Sequence, residues 1–420
     1  MSAPSIQLAP RVALRTQSQR HGIGFWVTAY TFAVAMAFST VPTPLYVLYQ
    51  RRDGFSTTMI TVIFAAYALG VTASLFLAGH ISDWIGRRRT LLAAVLLSLV
   101  AAVSFLLWRS TAGLLVARAV NGLSIGVVTA TATAYLAELH ARHRPEASGR
   151  RGEIVATAAN LGGLGVGALG AGILAQWVVG PLTVPYLVFG ALLVLAMGGL
   201  LLVPETKRPP VELPRYRPQR VSVPAAARGR YFAAAAGGLI AFAAFGLFTS
   251  LAPTFLAQTL GHTSRALGGA AAFTVFATAA LLQSLLGTRS ARTLLLAGAV
   301  VLPLGLVLVT TAVWLPHPSL ALFLVGGATT GAGAGLLVKA GLSTVVEIAP
   351  PDSRAEALAG FFLAAYVGLS VPVIALGVVA TVVPARTALL GFTALTIAGT
   401  LAMAAPAART AGVRRVELRS

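Results

Sequence analysis

Twelve apolar runs dominate this chain, at about residues 23–48, 58–78, 90–108, 112–138, 154–178, 183–203, 231–256, 267–287, 293–314, 320–346, 356–381 and 387–405. Each is long enough to cross about 30 Å of hydrocarbon as a helix rising 1.5 Å per residue. Hydrophobic residues make up 57% of the chain and charged ones 10%, with a mean hydropathy of +0.84. A soluble domain carries about a quarter charged residues. The chain therefore reads as an all-α integral membrane protein with twelve transmembrane helices. It has no cysteine, which excludes disulfides, thiol catalysis and Cys-based metal sites.

The net charge of +20 would suggest nucleic acid if the chain were soluble. Its distribution argues otherwise. With both termini in the cytoplasm, the inside segments hold 24 of the 31 Lys and Arg residues. The outside loops hold five: Arg51, Arg52, Arg109, Arg265 and Arg386. Arg118 and Lys339 remain within apolar runs. This positive-inside pattern sets the expected orientation in the plasma (inner) membrane, multi-pass, with no nucleic-acid partner. The first run spans about 26 residues, too long for the 7–15-residue core of a signal peptide. It is read as a span.

The chain is also a duplicated unit. A constant offset of 209 aligns Gly122, Gly126 and Glu138 with Gly331, Gly335 and Glu347, and an offset of 203 aligns Arg89 with Arg292 and Arg151 with Arg354. The expected organisation is a cytoplasmic tail (1–21), a six-helix bundle (22–204), a proline-rich cationic linker (205–229), a second six-helix bundle (230–405) and a cytoplasmic tail (406–420). Two six-span repeats enclosing a midplane site are the architecture of an alternating-access carrier. Small-residue stripes (Gly122/Gly126/Ala130, Gly163/Gly167/Ala171, Gly327/Gly331/Gly335) allow helix backbones to approach closely in lipid.

Between the second and third runs stands Gly79-His-Ile-Ser-Asp83-Trp-Ile-Gly86-Arg87-Arg88-Arg89. A carboxylate, two glycines and three arginines make a tight turn at the membrane surface. This Gly-x-x-x-Asp-x-x-Gly-Arg-Arg pattern resembles the loop signature of the major facilitator superfamily of transporters. The resemblance implies two pseudo-symmetric bundles, with Gly79, Asp83, Gly86, Arg87, Arg88 and Glu138 as conformational gating residues. It sets Asp83 near the N-terminus of the eleventh helix and Arg87 against Glu138, latching an outward-open state. The family often carries Arg directly after the Asp, where this chain has Trp84. The run Arg118-Ala-Val-Asn121-Gly122 resembles the superfamily's fourth-helix signature, whose arginine is implicated in proton coupling. Span five is similar to the Gly-Pro-rich signature of the drug:proton antiporter branch, with Ala168 in place of the proline.

Arg118 and Lys339 are the two charges within spans. A bare arginine inside a span costs at least a few kcal/mol, so Arg118 should face a wet cavity or a partner, or snorkel to headgroups. Lys339 shares the Gly327/Gly331/Gly335 face and lies about 12 Å from Glu347; it either snorkels inward or makes a positive central cavity. No Asp or Glu falls mid-span, which puts acid-mediated proton coupling in doubt. Further pathway candidates are Tyr30, Tyr46, Asn121, Asn160, Gln283 and Tyr366. Pro42 and Pro44 suggest a bend in helix one, and Pro372 a kink in helix eleven. No Walker sequence, metal-ligand spacing or triad is present, so neither an enzyme nor a cofactor is implied.

The expected function is secondary active transport of a small molecule by alternating access, as proton-coupled efflux of hydrophobic or amphipathic compounds by a monomer in the lipid bilayer. Two alternatives stand: a carrier of an organic anion or metabolite using Arg118 and Lys339, and a non-transporting membrane sensor or scaffold.

Overall fold

The computed structural model describes residues 8–207, 227–350 and 353–417. Every regular element in them is helical, and twelve helices are long and apolar enough to cross a membrane. In chain order these spans are Ser18–Asp53, Thr57–Ala78, Arg87–Leu107, Thr111–His143, Arg150–Trp177, Val184–Leu201, Arg228–Gln258, Arg265–Leu286, Ala291–Trp314, Leu320–Ile348, Glu356–Val379 and Ala385–Ala405. The boundaries match those expected to within a few residues. The expected tails are not wholly separate from the bundles, because the first helix begins at Leu8 and the last runs on to Glu417. Most of the expected linker (208–226) lies outside the described residues.

Serine begins many of these helices. The hydroxyls of Ser56, Ser110, Ser264, Ser290 and Ser319 each accept the N–H three residues on, opening spans two, four, eight, nine and ten. Each cap satisfies one of the backbone donors that a helix start leaves unpaired.

Spans one to six form one bundle and spans seven to twelve the other. Span four is the hub of the first, packed on one, two and three; span ten is the hub of the second, packed on seven, eight and nine. The packing thus repeats with the sequence duplication. Small residues make it possible: a Cβ at Gly167 would overlap the Ala37 carbonyl of span one, and one at Gly331 the Val275 carbonyl of span eight.

Two symmetry-related seams join the halves, span two to span eleven and span five to span eight. With an even number of spans, both chain ends lie on one face, the inner face of the expected orientation. At the opposite, outer face the seams are closed. Thr58 Oγ1 donates to the Gly377 carbonyl at 3.2 Å, and Arg265 donates from its backbone N–H to Gln176 Oε1 and from Nη1 to the Ala175 carbonyl, both at 2.9 Å.

Span one is not continuous. Its helix ends at Thr40, passes through a 3₁₀ turn at Thr43–Leu45 and resumes as Tyr46–Asp53. Pro42 and Pro44 cannot donate to the carbonyls of Phe38 and Thr40, so the helix must break there. The bend expected from these prolines is present. Span seven breaks at the equivalent level, through a π-helical segment at Leu247–Leu251 ahead of Pro253. An offset of 210 aligns Phe38-Ser-Thr-Val with Phe248-Thr-Ser-Leu, a relation that becomes visible only once the two breaks are superposed. Span five carries a second π-helical segment at Ala158–Gly162, which contains Asn160. Pro372 lies inside the helix of span eleven.

Candidate functional site

The break in span one explains the buried charge of span four. The last carbonyls of a helix have no intrahelical donor, and a helix C-terminus favours a cation. Arg118 supplies one. Its Nη1 donates to the Ser39 carbonyl at 2.7 Å, and its guanidinium lies over the rings of Tyr67 (4.4 Å) and Phe64 (5.5 Å) on span two. Only 2% of the residue is exposed. No carboxylate pairs with it among the described residues; the helix end and the ring faces compensate its charge. Nε has no hydrogen-bond partner. Of the alternatives open in the sequence, Arg118 thus takes a partner rather than snorkelling to lipid.

Around it stands a set of buried aromatic side chains. Tyr46, just beyond the break, is buried with its hydroxyl unpartnered. Tyr49 donates to the Tyr186 hydroxyl at 2.8 Å, and Tyr186 stacks on Phe105. In the second half, Tyr366 meets Phe242 edge to face at 5.3 Å, Phe242 meets Phe245, and Phe245 stacks on Phe276. The duplication is broken here. The residue aligned with Arg118 is Gly327, and a Cβ there would meet the Phe248 ring at 2.9 Å. An aromatic ring in one half thus occupies the level that a guanidinium occupies in the other.

Lys339 has a carboxylate partner. Its Nζ lies 3.2 Å from Glu153 Oε2, and the pair bridges the two halves from span ten to the inner end of span five. Among the described residues it is the one ion pair between the halves. The expected face is also correct, since Gly335 packs on Ala279 and Lys339 lies beside Gly287, both on the span-eight side. In the sequence nothing relates position 153 to position 339, so this pair is visible only in the fold.

The inner turn between spans two and three is a dense charge cluster. Arg87, 7% exposed, donates from Nη2 to Asp83 (2.8 Å) and Glu138 (2.9 Å) and from Nη1 to the Ser82 hydroxyl (2.6 Å). The expected Arg87–Glu138 contact is therefore made. Glu205, assigned from sequence to the linker, is part of the cluster. Its two oxygens accept the backbone N–H groups of Arg87 (2.8 Å) and Arg88 (3.0 Å), so it caps span three from the end of span six. A carboxylate at a helix start is favoured by the helix dipole. The Arg88 side chain reaches the carbonyls of Leu201 and Val203, and Thr206 donates to Glu138. Gly86 has φ +102° and ψ 152°, a conformation open to glycine, with Glu205 against its Cα. Gly79 closes the preceding helix, its N–H on the Leu75 carbonyl.

Among the described residues Asp83 is paired within its own half, with Arg87 and, at 3.6 Å, with Lys207; residues 351 and 352, ahead of span eleven, lie outside the described residues. Beside Asp83, burial pushes the His80 imidazole below its ordinary pKa, with the Asp83 charge acting in the other direction.

The remaining candidates divide. Tyr30 is a correction: its hydroxyl donates to the Leu192 carbonyl of span six at 3.4 Å, and the residue is 40% exposed, so it faces away from the second half. Asn121 is fully buried with neither amide atom bonded. Asn160 is half-buried in the π-helical turn, and Gln283 is buried in span eight. Among the described residues no group of His, Cys, Asp or Glu could hold a metal ion.

No curated protein sequence matches the chain. Many solved structures share its fold, three of them as follows. A crystal structure of a mutant of the peptide transporter POT, in complex with sulfate, is 14% identical, with TM-score 0.76, covering 92% of this chain and 94% of that one. A POT family transporter in complex with 5-aminolevulinic acid is 13% identical (TM-score 0.73, 93% and 96% covered). A mutant of the nucleoside transporter NupG is 12% identical (TM-score 0.67, 92% and 99% covered). The family model of the Major Facilitator Superfamily matches residues 27–315, and with that match over more than half its length the chain belongs to the major facilitator superfamily of transporters.

Proposed function

We propose that this transporter exports small hydrophobic or amphipathic compounds from the cytoplasm in exchange for protons, by rocking one bundle against the other. The observation that carries the reading is that both intramembrane cations are already compensated. Arg118 is bound to a helix end and two ring faces, and Lys339 to Glu153. An organic-anion carrier would need at least one of them free, so that alternative loses its main support. What remains between the halves is aromatic: Tyr67 and Phe64 on one side, Phe242 and Tyr366 on the other. Such walls suit an apolar ligand with few polar groups.

Proton exchange needs a titratable group whose charge bears on the conformation. Glu153 at the cytoplasmic mouth carries a charge that bears on the conformation, because it makes the ion pair that ties span five to span ten. The same geometry supports a monomer as the working unit, since the seams between the halves are complete within one chain.

The test is transport by the purified chain in proteoliposomes, with amphipathic dyes and organic anions compared under an imposed pH gradient. The expected result is dye movement that collapses with the gradient and is reduced in Glu153→Gln. Uptake of anions that is indifferent to pH and lost in Lys339→Ala would overturn the proposal.

A further inference from the structure

The outer face holds a small cleft between the two broken helices, with Pro44 of span one and Pro253 of span seven in its wall. Its volume is about 150 Å³, whereas a single water needs roughly 10–15 Å³ by the same measure. Its charge is one-sided. Arg51 comes from the first half and Arg265 from the second, with the His262 ring beside them, and among the described residues no Asp or Glu lines the cleft.

Neither arginine is paired with a carboxylate among the described residues. Arg52 is held by Asp53 at 2.6 Å, but its neighbour Arg51 has no ion-pair partner among the described residues. Arg265 gives Nη1 to the Ala175 carbonyl and keeps the rest of its guanidinium. The first turn of span eight, a 22-residue helix, opens at the cleft and adds the positive end of its dipole. Closing the outer ends therefore brings two guanidinium groups from opposite halves to one cleft with no carboxylate between them. Guanidinium forks match oxyanions in bidentate fashion, so the missing counter-charge has a chemical identity.

We propose that this cleft binds an oxyanion, a phosphate or carboxylate group held between Arg51 and Arg265. The site is complete only when the outer ends are closed. A ligand that binds one state alone shifts the population toward that state. The occupant therefore holds the transporter closed on its outer side, and an anion outside the cell slows the return to the outward-open state. This inference stands on the outer cleft and is independent of which compound the transporter exports.

The chain has no native cysteine, so two can be introduced for spin labels, at Val179 and Val382 on exposed outer loops of opposite halves. Phosphate is titrated against chloride at matched ionic strength, with the protein in detergent. The expected result is a saturable shift of the distance distribution toward its short component. Arg51→Gln weakens the response at least tenfold, and Arg386→Gln, which removes the same charge elsewhere on the outer face, leaves it unchanged. A parallel titration with short-chain phosphatidylglycerol against phosphatidylcholine separates the sources. A response to phosphate assigns the site to a free anion, and a response to phosphatidylglycerol alone, lost in Arg51→Gln, assigns it to a lipid headgroup. No response to either, or an equal response in Arg51→Gln, overturns the proposal. Should Arg51→Gln misfold, Arg51→Lys keeps the charge without the fork and is expected to weaken the response severalfold.

Discussion

Replacing Arg118 by methionine tests what the buried charge does, because the two side chains have similar length and only one is a cation. The substitution loses the bond to the Ser39 carbonyl, worth about 1.5–3 kcal/mol for a charged donor. It also loses the contact with the Tyr67 and Phe64 faces, worth about 2 kcal/mol when desolvated. Against this, it removes a cation whose burial costs about 2.5–3.5 kcal/mol. The net change in stability is thus about 0–2.5 kcal/mol unfavourable. The folded protein should persist.

Function should not. The Ser39 bond holds the end of the first helix in the bend that seats Thr43–Leu45 against span eight of the other half. Losing about 1.5–3 kcal/mol from that closed arrangement changes the outer-closed to outer-open ratio by about 10- to 150-fold. Spin labels at Val179→Cys and Val382→Cys should report longer outer distances in Arg118→Met, and transport in proteoliposomes should fall by at least tenfold. Arg118→Lys keeps one donor and the charge but not the planar stacking, so it should lie between. If Arg118→Met left both the distances and the transport rate unchanged, the reasoning from helix end to outer gate would be wrong.

Further outcomes follow from other contacts. Glu153→Gln should loosen the inner ends by no more than about fivefold, since exposed pairs are worth about 0.2–1 kcal/mol and Glu153 is 68% exposed; the charge swap Lys339→Glu with Glu153→Lys should restore it, read by inner-face labels. Gly86→Ala should cost about 1–3 kcal/mol from its backbone conformation alone, and more from collision with Glu205, seen as a lower midpoint of thermal unfolding. Gly167→Val should prevent spans one and five from meeting at Ala37 and abolish the folded protein on size exclusion. His80 is held below its ordinary value of 6.5 by burial, so the opened turn binds more protons than the folded one as pH falls through that value. Stability should therefore drop on acidification below about pH 6.5, and His80→Asn should flatten that slope in thermal melts.

Much of this molecule is legible in its sequence. Span number and the breaks at Pro42 and Pro44 follow from local rules: length against hydrocarbon thickness, and missing N–H groups. The Arg87–Glu138 contact is legible because a family pattern relates two distant segments. What is not legible are the partners that lie far apart in sequence without a pattern to join them. Glu205 reads as one more polar residue of a cationic linker; only the fold brings it onto the N–H groups of Arg87 and Arg88. Glu153 and Lys339 stand 186 residues apart, on helices whose contact depends on how the halves close. Tyr30 is misread for a related reason. A tyrosine in span one can face the other half or span six, and helical periodicity alone does not say which.

The two compensations also bear on each other. Arg118 is neutralised from within its own half, by a helix end that exists because of a proline break. Lys339 is neutralised from the other half. The first compensation depends on the bend of span one keeping its place against span eight, and the second on the inner ends staying together. Rocking that parts the inner ends therefore charges the inner mouth. In the export cycle proposed above, Lys339 and Glu153 carry the state-dependent electrostatics, while Arg118 sets the shape of the outer gate. The two roles separate experimentally: changes at Arg118 should alter the outer distances, whereas changes at Glu153 should alter the inner ones.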